Sequence, residues 1–246
     1  MTSFHSIDTL VKHIDNIPNA IVALSDEDRR GIKKSLIDDL TSATSEKLLI
    51  PTDKIPEIML NVAWGFVKIP VAVGGDPFDH KKWEEQHQVF LKAMQSMNQS
   101  VVKVRVHNNG LYHEILPRVF SKDSKDARRE TRDIIDYHLA GINTFLSEWD
   151  TKKSSLSGVL AGLKDGRFSD SLKSKEELLE VLQAMHMRVS DLAEVSDWMR
   201  EIIYTVKATL EHLQRSYDRE VPEDIRRDAL KLITDYSKFL FILDAF

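Results

Sequence analysis

Between Gly166 and Pro222 the chain carries neither glycine nor proline. Within that stretch the apolar positions recur at alternating steps of four and three: Leu178, Leu182, Met185, Val189, Leu192, Ser196, Met199, Ile203, Val206, Leu210, Leu213 and Tyr217. Ser196 is the one break in the series. An alternation kept this long places one stripe along one helix and calls for other helices against it. At 1.5 Å per residue, about forty helical residues run to roughly 60 Å. A compact globule of 246 residues has a diameter near about 45 Å. The expectation is therefore an elongated molecule of long helices laid side by side.

Other segments repeat the rhythm. Phe4, Ile7, Val11 and Ile14 lie at helical steps before Pro18. Ser25 with Asp28 forms a capping box ahead of a helix bearing Ile32, Leu36, Leu40 and Ala43. Asp76-Pro77 is a helix start followed by Trp83, His87, Phe90, Met94, Met97, Val101 and Val104, with Gly110 and Pro117 marking a kink or break. A further seam reads Ile135, His138, Ile142, Phe145 and Trp149, after caps at Ser121–Ser124. Ser174 and Glu177 cap the long helix, Pro222 ends it, and Ile225, Ala229, Leu232, Tyr236, Phe239 and Leu243 follow. Two stretches differ. Residues 48–75 are an irregular apolar subsegment punctuated by Pro51, Pro56, Pro70, Gly65, Gly74 and Gly75. Its core, Ile58–Val67, suits a short buried helix followed by an extended Lys68–Val73, or a small β-hairpin, and a run so short does not decide between them. Residues 151–171 read as a hairpin tip connecting two long helices. The predicted fold is all-α, a single antiparallel, extended helical bundle over 1–246.

Composition removes several classes of function. The net charge is −5 with both signs interspersed, which argues against a basic nucleic-acid-binding face. No cysteine is present, so disulfides, thiolate metal sites and cysteine nucleophiles are excluded. The start, Met1-Thr-Ser-Phe-His, lacks the basic and apolar regions of a signal peptide, which suggests a cytoplasmic protein or one released without such a leader. No apolar run approaches the ~18 residues of an uninterrupted spanning segment.

Motifs that carry chemistry are weak. Glu84 and His87 stand at the E-x-x-H spacing of di-metal carboxylate sites, but no second such pair exists, and His87 falls on a seam. His138 likewise reads as a core histidine. His113-Glu114 opens a H-E-x-x pattern that ends on Pro117 instead of histidine. Gly158 through Lys164 lacks the spacing and ending of a phosphate loop, and Gly74-Gly75 reads as a turn. The sequence thus predicts a protein that is not an enzyme, with no metal and no cofactor.

The local anomaly is the tip. Six basic residues, Lys152, Lys153, Lys164, Arg167, Lys173 and Lys175, face only Asp165 and Asp170. Between them lie Leu156, Val159, Leu160 and Leu163, with Phe168 beyond. A basic rim around apolar side chains suits an anionic bilayer surface, at about 1 kcal/mol per uncompensated lysine. Lys152, Lys153, Leu156, Val159, Leu160, Leu163, Lys164, Arg167 and Phe168 are accordingly the expected membrane or partner contacts; the competing reading is that Val159, Leu160 and Leu163 form one more turn tucked onto the bundle, with the lysines solvated. Ile58–Val67 and Phe239–Leu243 are the second and third membrane candidates. Long helices with a small apolar hairpin are the general plan of helical-bundle pore-forming toxins, an analogy of architecture. The expected function is action at membranes, as a pore-forming component. The alternative is an adaptor that binds a partner helix, or forms a homo-oligomer, along the Leu178–Tyr217 seam; a lesser alternative is an enzyme whose site is not visible in the sequence.

Overall fold

In the computed structural model, which describes residues 7–17, 24–46, 55–74, 78–120 and 125–243, every position of the Leu178–Tyr217 series is buried. The described residues form nine α-helices and no strand: α1 (Ile7–Asp15), α2 (Asp26–Glu46), α3 (Ile55–Val73), α4 (His80–Gly110), α5 (Leu116–Val119), α6 (Lys125–Leu163), α7 (Gly166–Leu172), α8 (Glu176–Arg219) and α9 (Pro222–Leu243). A single π-helical turn, Leu111–Ile115, joins α4 to α5 directly before Pro117, where a regular α ladder loses a donor. The chain is an all-α helical bundle.

Helix ends follow from local chemistry. Ser25 Oγ accepts from the Asp28 N–H at 3.1 Å, and Asp28 accepts from the Ser25 N–H at 2.8 Å, which completes the predicted capping box. The start of α4 lies later than Asp76-Pro77, which falls outside the described residues. Asp79 is its cap, accepting from the Lys82 N–H at 3.0 Å. The α8 helix begins where the Lys175 carbonyl accepts from the Leu178 and Leu179 N–H groups at 3.0 and 3.1 Å. It closes at Glu220, whose φ is 55°, with Glu220 N–H to the Tyr217 carbonyl at 3.2 Å and Val221 N–H to the Ser216 carbonyl at 3.4 Å.

Chain contacts group the residues into two compact units. The first comprises Met1–Leu49, Val101–Ser147 and Met199–Phe246. Here α2 packs on α1 and α9, and Arg29 donates to the Asp15 and Ile17 carbonyls at 3.3 and 2.9 Å, capping the end of α1. Two buried carboxylates tie α9 to α8: Asp228 accepts from Ser216 and Asp235 from Thr209, each at 2.6 Å. Leu232, Ile233 and Tyr236 are buried beside them, while the Phe239–Leu243 side chains lie outside the described residues.

The second unit comprises Ile50–Ser100 and Glu148–Trp198. It corrects two expectations. The segment expected as a hairpin or a short helix with an extended tail is the 19-residue helix α3, with Pro70 inside it. The expected connection at 151–171 is mostly helix: α6 runs on to Leu163, and α7 takes up Gly166–Leu172. The reason is that the α6 seam does not stop at Trp149. It continues at the same steps through Lys152, Leu156, Val159 and Leu163, and all four are buried. Two glycines in a helix cost about 1 kcal/mol each relative to alanine, whereas burying each leucine or valine contributes about 1.5–3 kcal/mol, so burial wins. Gly162 also has a packing role, because a Cβ there would collide with the Gln86 side chain. Trp149 donates through Nε1–H to the backbone carbonyl of Ser196 at 3.1 Å.

Candidate membrane interface

The side chains expected at the tip divide sharply. Leu156, Val159, Leu163 and Phe168 are buried in the second unit, and Leu160 is half-buried. Phe168 packs between Trp83 and Phe78, with ring centroids at 5.0 and 5.5 Å. The cations are engaged as well. Lys152 is buried, with Nζ on Ser100 Oγ and 3.5 Å from Glu148. Lys153 pairs with Asp197, and Lys173 with Asp170 at 2.7 Å. Arg167 donates to Asp165 through its backbone N–H at 3.0 Å, through Nε at 3.1 Å and through a terminal nitrogen at 3.0 Å, and Lys82 reaches the same carboxylate. These hydrogen bonds, first from Arg167 and then from Lys82, hold the Asp165 carboxyl well below the ordinary carboxylate range. Lys164 alone of the nine keeps an exposed side chain with no bond described, and the tip offers no cluster of exposed apolar groups.

Among the described residues α3 carries the largest group of exposed large apolar side chains. Pro56 and Glu57 open this helix, the proline with its φ preset and the glutamate near the positive end of the helix dipole. Its inner face buries Ile55, Ile58, Val62, Phe66 and Ile69. Offset by about 200° around the axis, Leu60, Trp64, Val67 and Val71 form a second stripe at steps of four, three and four. Their exposures are 69%, 55%, 55% and 78%. Glu57, Asn61 and Lys68 share one narrow polar edge, and a helix apolar on two opposite faces is ordinarily covered on both, in a core or in lipid. Among the described residues α3 is the one helix long and apolar enough to cross a membrane, and only 33% of that stretch is buried inside the protein. Lys68, on the same helix, holds its ammonium 4.7 Å from the centre of the Trp64 ring. Tryptophan and lysine each join an apolar body to a polar tip, the kind of side chain favoured where hydrocarbon meets headgroups.

Polar chemistry fixes how α3 is held. Pro70 has no N–H, so the Phe66 carbonyl, four residues earlier, loses its helical donor. Trp83 supplies one: its Nε1–H donates to that buried carbonyl at 2.9 Å. The Phe66 ring lies 5.1 Å from Trp83 and 5.7 Å from Phe90, and it stacks on His87 at 5.0 Å. This stacking accounts for His87 on its seam, with Glu84 at 3.7 Å as its neighbour. At the C-terminal end Lys175 Nζ donates to the Ala72 and Val73 carbonyls, both at 3.2 Å, before Gly74 turns the chain at φ 73°. Gly65 lets Met185 of α8 lie directly against the α3 backbone.

In the first unit a groove of about 660 Å³ runs along α2 and α9, lined by Asp28, Asp39, Lys231, Asp235 and Lys238 among others. Its charges meet one another: Lys231 lies 2.6 Å from Asp235, and Lys238 bridges Asp39 and Asp235. Among the described residues no three histidine or carboxylate side chains are gathered as metal ligands. The chain matches no protein-family model, no curated protein and no solved structure. Function must come from the site itself.

Proposed function

We propose that this protein is a non-enzymatic helical bundle acting at membranes, and that its lipid contact is the outer face of α3, not the 151–171 tip. The observation that carries this reading is the exposure of Leu60, Trp64, Val67 and Val71 on a helix whose polar side chains, Glu57, Asn61 and Lys68, are confined to one narrow edge. Scaled by those exposures, transfer of the four side chains into the interface contributes about 5 kcal/mol, or between three and four decades of partitioning. Lys68 adds attraction to anionic headgroups. The Leu178–Tyr217 seam, the motive for a homo-oligomer or a partner helix there, is already covered within the chain.

Flotation with vesicles containing phosphatidylserine tests the proposal. Leu60→Ser with Val71→Ser changes two exposed side chains and should weaken recovery about a hundredfold. Lys164→Glu with Arg167→Glu should change it far less. Equal recovery of the α3 variant and the parent protein, or no recovery of either, would falsify the assignment. Release of entrapped dye distinguishes a pore from a peripheral contact.

A further inference from the structure

We infer that α3 is a releasable segment, which leaves its place in the second unit and enters the hydrocarbon as a spanning helix; this rests on the membrane reading above. Length is the first argument. Nineteen residues at 1.5 Å each make about 28 Å, close to the roughly 30 Å of a bilayer core. The charges are the second. Ile55–Val73 holds only Glu57, near one end, and Lys68, whose long stem can carry its ammonium towards the other. The third is the inner face. A helix lying on the surface would need only the outer stripe, yet Ile55, Ile58, Val62, Phe66 and Ile69 make the opposite face equally apolar. Release therefore exchanges protein contacts for lipid contacts around most of the helix, with Glu57, Asn61 and Lys68 along one narrow edge.

The way α3 is held agrees with release. Among the described residues its hydrogen bonds to the rest of the unit are three, all to backbone carbonyls: Trp83 on Phe66, and Lys175 on Ala72 and Val73. No ion pair is described for Glu57 or Lys68. In the membrane the Phe66 carbonyl lies next to a proline kink, which spanning helices tolerate.

The absence of native cysteine makes a reversible lock practical. Gly65→Cys with Met185→Cys removes the methionine atoms that a Cβ at 65 would meet and places two thiols across the α3–α8 contact. Trp64 is the middle residue of α3, so its depth reports the mode of binding. Its emission is taken as the difference between each protein and its Trp64→Phe counterpart, in phosphatidylserine vesicles whose chains carry bromine either near the glycerol or near the tail ends. Without the bridge, quenching should be strongest from the tail ends. With the bridge formed, the protein should still float but the order should reverse. Flotation of both forms with shallow quenching in both overturns release and leaves the membrane reading intact. Deep quenching in both overturns departure from the Met185 contact. Absence of flotation in both removes the membrane reading itself. A second variant needs no bridge: Lys175→Ala frees the Ala72 and Val73 carbonyls and should speed the onset of deep quenching, and an unchanged rate counts against the inference.

Discussion

The Phe66 carbonyl offers a test in which two substitutions are expected to compensate. Pro70 removes its helical donor, and the Trp83 indole replaces that donor at 2.9 Å in a buried setting. Trp83→Phe keeps an aromatic ring but leaves the carbonyl unsatisfied, which costs about 1–3 kcal/mol. Trp83 is only 1% exposed, so the lost ring volume adds a packing cost of about 1 kcal/mol or more. The expected loss is therefore about 2–4 kcal/mol in all. With alanine at position 70 the outcome differs, because an N–H now stands four residues after Phe66. It can take the carbonyl when the indole is gone, and only the packing cost should remain. The cycle of Trp83→Phe and Pro70→Ala should thus show a coupling of about 1–3 kcal/mol. Urea unfolding followed by far-ultraviolet circular dichroism measures it without relying on tryptophan emission. A Trp83→Phe cost that is the same in both backgrounds, within about 0.5 kcal/mol, would refute the argument that the indole substitutes for the proline's missing donor.

Two more predictions concern local conformation and charge. Glu220 holds φ at 55°, a conformation that costs a residue with a Cβ about 1 kcal/mol, so Glu220→Gly should raise the urea midpoint despite losing the exposed pair with Arg128 at 3.3 Å. A lower midpoint would show that the ion pair matters more than the backbone. The Asp165 carboxyl is held below its ordinary range first by Arg167 and then by Lys82, so its folded pKa lies below the unfolded one. Its contribution is therefore fully present above the unfolded value, near about 4, and is lost as pH falls towards the folded value. Asp165→Asn, which can still accept from the Arg167 N–H as a cap, should flatten the fall of the urea midpoint with pH in that window. An unchanged slope would assign the acid sensitivity to other carboxylates, beginning with Asp28. Burial raises the Asp28 pKa, but hydrogen bonds from Ser25 and the charge of Arg226 outweigh it and leave the group lowered.

Much of the fold was legible along the chain, because helix periodicity and capping depend on neighbours three and four residues away. All twelve positions of the long seam are buried, and the Ser25–Asp28 box forms as its spacing implies. The seam of α6 was legible too: its four-three steps run unbroken through Lys152 to Leu163 once the glycines are not taken as its end. The start of α4 was less legible: the sequence favours Asp76-Pro77, whereas the hydrogen bond from the Lys82 N–H falls on Asp79.

The site was only partly legible. Leu156–Phe168 and Ile58–Val67 were both membrane candidates by sequence, and the stronger hydropathy of the α3 segment did not by itself rank it first. Tertiary packing separates them. It turns the first onto Trp83 and Phe78, and it gives α3 one covered face and one bare one. Pro70 shows the same division. By sequence it reads as a helix breaker, and only the Trp83 indole, thirteen residues further on, supplies the donor that lets the helix continue past it. The sequence by itself determined where helices run and which stripe of each is apolar, because those properties repeat within a single turn. Which stripe is buried was decided by the tertiary structure, because burial depends on what distant segments bring against it.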